Sequence, residues 1–275
     1  MKTLFEILPS SIDSENSTLI CELSNEGVSF VLKNEEENSF LGVAVYQFDK
    51  SRPQAGYSIA LQILFHQKEW LTKKFNKTFI IYSTPESVLV PFSLYDSAQN
   101  EAVLNLVHGD LHSQETILSD LITEQQVYNI FRIPTQIYNA VQNQFFNVKS
   151  VHQYSRILKQ KAPEKDKLAV IFYTQKMVIS LFKEGKYHLI NSFTFRTAEE
   201  VSYIILDIRQ QFDVNDIDIE MSGLIEENSA LYKEIYKYFT NISFYDNPKG
   251  CSYPTELSDY PAHYFSHIFA LDPCE

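Results

Sequence analysis

Leu19-Ile-Cys-Glu-Leu-Ser-Asn-Glu-Gly-Val-Ser-Phe-Val-Leu-Lys33 reads as a strand, a tight turn and a second strand. Two apolar runs flank a short polar stretch whose Asn and Gly suit a hairpin. Leu168-Ala-Val-Ile-Phe-Tyr-Thr-Gln-Lys-Met-Val-Ile-Ser-Leu-Phe182 repeats the shape about half the chain later. The pair predicts an internal duplication, and a duplication largely decides the fold.

The elements after each hairpin are alike. In the first half, strands are expected near 18–24, 27–33 and 39–48. A helix over 55–74 comes next, with Leu61, Leu64, Phe65, Leu71 and Phe75 on one stripe. Thr78-Phe-Ile-Ile-Tyr82 is a buried-type strand, Ser87-Val-Leu-Val90 a short one, and 97–108 a helix. Residues 115–132 read as a hairpin. Pro134 opens a helix buried through Ile137, Val141 and Phe145. A strand near 147–152 and a helix to 159 complete the half. Residues 160–167 are polar and contain Pro163, which marks them as a linker.

The second half gives strands near 168–174, 177–183 and 187–195, then a helix opened by the capping box of Thr197 and Glu200. Asp218-Ile-Glu-Met221 is a strand, 228–239 a helix, Ile242-Ser-Phe-Tyr245 a strand, 246–260 a loop and 262–270 an aromatic helix. Each half is β-β-β-α-β-α-β. Meander strands pair antiparallel and crossovers pair parallel, so each half should form a mixed sheet with helices on its faces. The expected architecture is α/β, with residues 1–160 and 161–275 as two similar halves around a cleft. The final helix packs back on the body.

Composition narrows the function classes. Seven glycines in 275 residues are roughly a third of average usage, so Gly-lined phosphate loops should be few. A net charge of −12 argues against nucleic acid as a partner. Lys159, Lys161, Lys165 and Lys167 are interrupted by Glu164 and Asp166, as in a solvated linker. No apolar run is long enough for a membrane span. The opening residues do not read as a signal peptide. Cys21, Cys251 and Cys274 show no close spacing, and Cys21 sits in an apolar strand, which favours a reducing, cytoplasmic setting.

The order of elements, used twice, resembles the actin-like ATPase superfamily, whose unit is the duplicated ribonuclease-H-like fold. It is closer to the bacterial branch containing the actin-like component of type IV pilus assembly. It is closer still to a family of uncharacterised bacterial proteins with this fold and no assigned activity. The residues that carry the resemblance are Leu89-Val-Pro-Phe-Ser-Leu-Tyr95, Ile133-Pro-Thr-Gln-Ile-Tyr138, the two hairpins and Ile219-Glu-Met-Ser-Gly223. Active members hold ATP at an Asp-x-Gly turn after the first strand of each half and at a Gly-Gly turn near the adenosine. Here the first turn is Glu22-Leu-Ser-Asn-Glu-Gly27, with an acid and a Gly out of pattern. The second is Phe172-Tyr-Thr-Gln-Lys176, with neither, and the adenosine turn is Ser222-Gly223-Leu224. A side chain in place of Gly blocks close approach and is strained at positive φ.

The resemblance therefore implies an actin-like protein without ATPase chemistry or cofactor, acting as a binding or scaffolding module for a protein partner, with its oligomeric state open. The alternative is a divergent nucleotide-binding ATPase, holding ATP with Mg through Glu22, Asn25, Gly27, Ser222 and Gly223. Other constellations point to little chemistry. His108/His112 and His263/His267 stand at i and i+4 but lack the Glu of a His-Glu-x-x-His site, so surface or partly packed histidines are expected. Asp213, Asp216, Asp218 and Glu220 read as a solvated turn, not a two-metal cluster.

Overall fold

The computed structural model describes residues 1–49, 56–110 and 114–272. They divide into two compact units. One comprises 1–160, 250–256 and the described residues 271–272. The other comprises 161–249 and 257–270. Neither is a continuous stretch of chain.

Unit 1 is built on a six-stranded sheet. Its strands are β1 (Lys2–Ile7), β2 (Ser17–Ser24), β3 (Gly27–Asn34), β4 (Ser39–Gln47), β5 (Lys77–Ser83) and β9 (Val148–His152), in the order β1-β4-β3-β2-β5-β9. β2 pairs antiparallel with β3 and parallel with β5. β2 is buried along all but its last residue, with Leu19, Ile20, Cys21 and Leu23 as its apolar positions and Ser17, Thr18 and Glu22 buried beside them. α1 (Tyr57–Gln67) places Leu61, Leu64 and Phe65 on this core, and α3 (Thr135–Gln144) adds Val141. The expected helix over 55–74 is broken: Lys68 is extended (φ −101°, ψ 95°), and a 3-10 turn, Glu69–Thr72, comes after it. At the break Lys68 pairs with Glu6 of β1. β1 itself was not expected; an edge strand half open to water gives only a partial alternation.

β6 (Ser87–Pro91), β7 (Glu115–Ile122) and β8 (Val127–Pro134) form a separate antiparallel sheet, β6-β8-β7, beside α2 (Asn100–His108). A buried polar network joins it to the end of β9 and to α4 (Gln153–Lys159). The His152 N–H donates to Asp120 (2.7 Å), and Asn129 donates to Ser155 (3.0 Å). Burial pushes the Asp120 carboxyl up, against the hydrogen bonds it accepts. The His152 Nδ1 accepts from the Tyr154 N–H, and its Nε2 reaches the Thr84 carbonyl. The ring thus ties the start of α4 to the segment after β5, and the backbone of the same residue ties it to β7.

Unit 2 contains β10 (Lys167–Phe172), β11 (Lys176–Lys183), β12 (Lys186–Thr194), α5 (Ala198–Gln211), β13 (Asp218–Gly223), α6 (Ala230–Tyr236), β14 (Ile242–Phe244) and α7 (His263–Phe269). Its sheet runs β12-β11-β10-β13-β14. That is the order β4-β3-β2-β5-β9 again, with the same parallel and antiparallel senses. Thr197 caps α5, accepting from the Glu200 N–H (3.3 Å), while Glu200 reaches back to the Arg196 N–H. Val201, Ile205 and Ile208 of α5 and Ile235 of α6 complete the core.

Residues 250–256 return to unit 1. The Phe40 N–H donates to the Ser252 carbonyl (2.9 Å), and Phe40 stacks on Tyr253. Asp272 then pairs with Lys33, whose side chain is 4% exposed, and its carbonyl accepts from Arg156. Removing the Asp272 carboxylate takes a charged partner from the buried Lys33 and, with it, the side-chain anchor to unit 1 of the segment whose carbonyl Arg156 binds. Asp272→Ala should therefore lower stability by about 1.5 kcal/mol or more in urea titration. A loss within experimental error would mean that this pair adds nothing to unit 1.

Candidate functional site

The candidate residues fall into two groups. Glu22, Asn25 and Gly27 lie at the first hairpin in unit 1, and Ser222 and Gly223 lie at the end of β13 in unit 2.

At the first hairpin, the loop is Asn25-Glu26. The Glu26 N–H donates to Ser24 Oγ (3.1 Å), and the Glu26 carbonyl accepts from the Phe48 N–H (2.8 Å). Gly27 is needed by the sheet: a Cβ there would stand 2.1 Å from the Tyr46 carbonyl oxygen. Glu22 is 2% exposed and accepts from Gln153 Nε2 (3.1 Å); Gln153 in turn accepts from Ser83 (2.5 Å). Its neighbour Cys21 is buried, and burial, then the charge of Glu22, push the thiol far above its ordinary range. Cys21 thus packs as a small apolar residue.

The second hairpin repeats the device. Its loop, 173–175, is closed by the Tyr173 N–H on the Lys176 carbonyl (2.8 Å), and the Gln175 carbonyl accepts from the Phe195 N–H (3.0 Å). In both units the carbonyl just before the hairpin's second strand binds the amide just past the third strand. The loop's surroundings are filled. Lys176 is 1% exposed, and its ammonium lies 4.4 Å from the Tyr173 ring centre. His267 of α7 meets the same ring edge-on at 5.4 Å.

At the third turn Gly223 has φ +83°, and a Cβ would lie 2.1 Å from the Phe172 carbonyl oxygen. That oxygen accepts from the Leu224 N–H (2.8 Å). Leu224 itself has an ordinary negative φ, so no strain attends the side chain at that position.

Beside the first hairpin, Asn25 helps line a pocket of about 90 Å³ in unit 1, together with Tyr57, Thr84, Glu86, Glu115 and Arg132. Arg132 is buried and heavily bonded. Its Nε faces Glu86 and Glu115, Nη1 donates to Asn105 (3.0 Å) and Nη2 to the Gly109 carbonyl (3.2 Å). The pocket thus presents two carboxylates and an arginine already engaged. Sequence reasoning missed these three residues. The available signal was a lone Arg within the apolar strand Asn129-Ile-Phe-Arg-Ile133.

The histidines are more buried than expected. His263 and His267 are 8% and 6% exposed, because all seven residues of α7 are buried. His263 reaches the Ile225 carbonyl (2.7 Å) and stacks on Phe244. His108 lies 3.3 Å from the Ser87 carbonyl, and His112 is outside the described residues. Glu220 pairs with Lys167, while Asp218 is exposed. Among the described residues, no three His, Cys, Asp or Glu side chains converge on a metal-sized site.

Glycine substitutions probe the two close contacts. Gly27→Ala should cost about 2 kcal/mol or more through the clash alone, and Gly223→Ala more, since positive φ adds about 1–2 kcal/mol. Gly185→Ala is the control: φ is +81° with open space around it, so strain alone remains. Equal losses at Gly185 and Gly223 in denaturant titration would remove the role assigned to the Phe172 contact. Acid sensitivity probes α7. Burial first, and then the charge of Lys176, lower the His267 pKa from 6.5 to about 3. The unfolded chain then takes up this proton before the folded one does. Stability from the neutral ring is whole above pH 6.5 and is lost as pH falls toward about 3. The urea midpoint of wild type should fall more steeply than that of His267→Gln across this window; parallel curves would rule the effect out.

A protein of actin-like ATPase fold and unknown function from Bacteroides thetaiotaomicron superposes on this chain with a TM-score of 0.78 at 20% identity, over 97% of this chain and 100% of that one. The PilM–PilN type IV pilus biogenesis complex superposes with a TM-score of 0.62 at 9% identity, over 94% and 98%. These likenesses show the actin-like fold, in line with the resemblance drawn from the order of elements. No curated protein matches the chain. No helix among the described residues is long and apolar enough to cross a membrane. The family described as protein of unknown function (DUF3822) matches residues 9–242, and the chain belongs to that family.

Proposed function

We propose that this chain is a non-catalytic actin-like protein whose nucleotide site has degenerated and which serves as a binding or scaffolding module. One observation carries the reading: both hairpins where relatives would hold phosphate are closed on their own sheets. The Glu26 and Gln175 carbonyls each accept from the amide after the third strand, and the Tyr173 N–H is taken by the Lys176 carbonyl. Phosphate needs a cradle of converging N–H groups and room to approach the backbone. Gly27 and Gly223, the two glycines of the candidate set, each have a backbone carbonyl oxygen packed where a Cβ would stand, so both serve the packing of their own sheets. The pocket beside Asn25 adds carboxylates, and its arginine is already bonded to Glu86, Glu115, Asn105 and Gly109, which disfavours an anion.

A protein is the partner class proposed. The PilM–PilN complex pairs a neighbour of this fold with a protein, and the acidic total charge disfavours nucleic acid. A buried, protonated Cys21 suits the cytoplasm as compartment.

Isothermal titration of the whole chain with ATP and Mg²⁺ is the test. The expected result is no saturable heat up to millimolar ATP, and no phosphate release. Micromolar binding with hydrolysis would overturn the reading and favour a divergent ATPase, in which Glu22, Asn25, Gly27, Ser222 and Gly223 hold the nucleotide.

A further inference from the structure

The pocket beside the first hairpin carries a chemistry of its own. Among the described residues, its charged lining side chains are Glu86, Glu115 and Arg132. They meet at one atom: Arg132 Nε bonds Glu86 Oε2 and lies 3.0 Å from Glu115 Oε2. One cation is thus shared by two carboxylates, and the lining keeps one negative charge in excess. The other guanidinium nitrogens of Arg132 turn to Asn105 and to the Gly109 carbonyl, neither of which lines the pocket.

The pocket also has acceptors to spare. Glu86 meets Arg132 through Oε2 alone, and its side chain is 40% exposed. Asn25 lines the same pocket, and its buried Oδ1 has no hydrogen-bond partner. A buried acceptor without a donor is costly, so a donor-rich ligand gains there. The Tyr57 ring and the apolar side chains of Leu23, Ile133 and Ile137 wall the rest.

These features select among cations. A divalent metal is disfavoured, because the Arg132 charge stands between the two carboxylates. A compact ammonium is strongly hydrated and loses more on entering such walls than a guanidinium does. A guanidinium is planar, carries donors and no acceptor, and matches carboxylate geometry. The volume of about 90 Å³ is room for about three water molecules, which suits a group of a few heavy atoms. We infer that this pocket takes a guanidinium group, borne by a free small guanidine or by an arginine of another protein. The inference rests on the reading of unit 1 as closed to phosphate.

NMR of the isotope-labelled whole chain is the test. The amide signals of Asn25, Glu86 and Arg132 should shift saturably with methylguanidinium chloride. Sodium acetate, a planar anion of similar size, should leave them in place. Glu86→Gln removes the excess charge while Glu115 still holds Arg132, and should weaken methylguanidinium binding about tenfold, with circular dichroism checking the fold. Asn25→Ala, which leaves the Arg132 network intact, should weaken it about threefold. Tighter binding of agmatine supports a free guanidine as the source, and tighter binding of N-acetylarginine amide supports a protein side chain. No saturable shift with any of these guanidines up to about 20 mM, saturable shifts with acetate, or undiminished affinity in both variants overturns the inference. A chain that binds neither ATP nor a guanidine keeps the non-catalytic reading and loses this one alone.

Discussion

Everything in this molecule hangs on two strands, β2 and β10, each paired antiparallel on one side and parallel on the other. A strand so placed has water on neither edge, and helices leave it little on its faces. Its side chains must be apolar, or polar with a partner already in place. Glu22 meets that demand through Gln153, which reaches it from 131 residues away. The parallel neighbour must arrive by a crossover helix, so the helix after each meander is a consequence of the pairing rule. The two units answer the same constraint in the same order, down to the amide that closes each hairpin.

Features set by local chemistry were legible in the sequence. The two hairpins, the α5 cap at Thr197 and the apolar stripe through Val201, Ile205 and Ile208 depend on neighbours a few residues apart. Features that were not legible depend on distant partners. β1 is a strand because β4 offers it an edge, and α1 stops at Gln67, where Lys68 leaves the helix to pair with Glu6. Periodicity reports a helix's buried stripe; it does not report a side chain's partner across the sheet.

The candidate site divides along the same line. That Asn25-Glu-Gly27 and Thr174-Gln-Lys176 differ from phosphate turns could be read directly. That Gly27 and Gly223 stand against the carbonyls of Tyr46 and Phe172 could not, because a glycine's sequence context does not say which backbone lies above it. Lys176 is the sharpest case. A lysine in a turn reads as solvated, yet this one is 1% exposed, under the Tyr173 ring and close to His267 from a helix some ninety positions away.

The return of residues 250–256 and 271–272 to unit 1 bears on how a ribosome delivers this protein. Lys33 leaves the exit tunnel 239 residues before Asp272. At ordinary elongation rates of about 5–20 residues per second that interval is tens of seconds. Until then the nascent first unit lacks one partner of a buried cation and the aromatic cover of Phe40 by Tyr253. The whole of unit 2 is threaded in the meantime. Vectorial synthesis therefore cannot finish this protein one half at a time: the amino-terminal sheet stays provisional, and open to chaperones, until the carboxyl-terminal segment arrives.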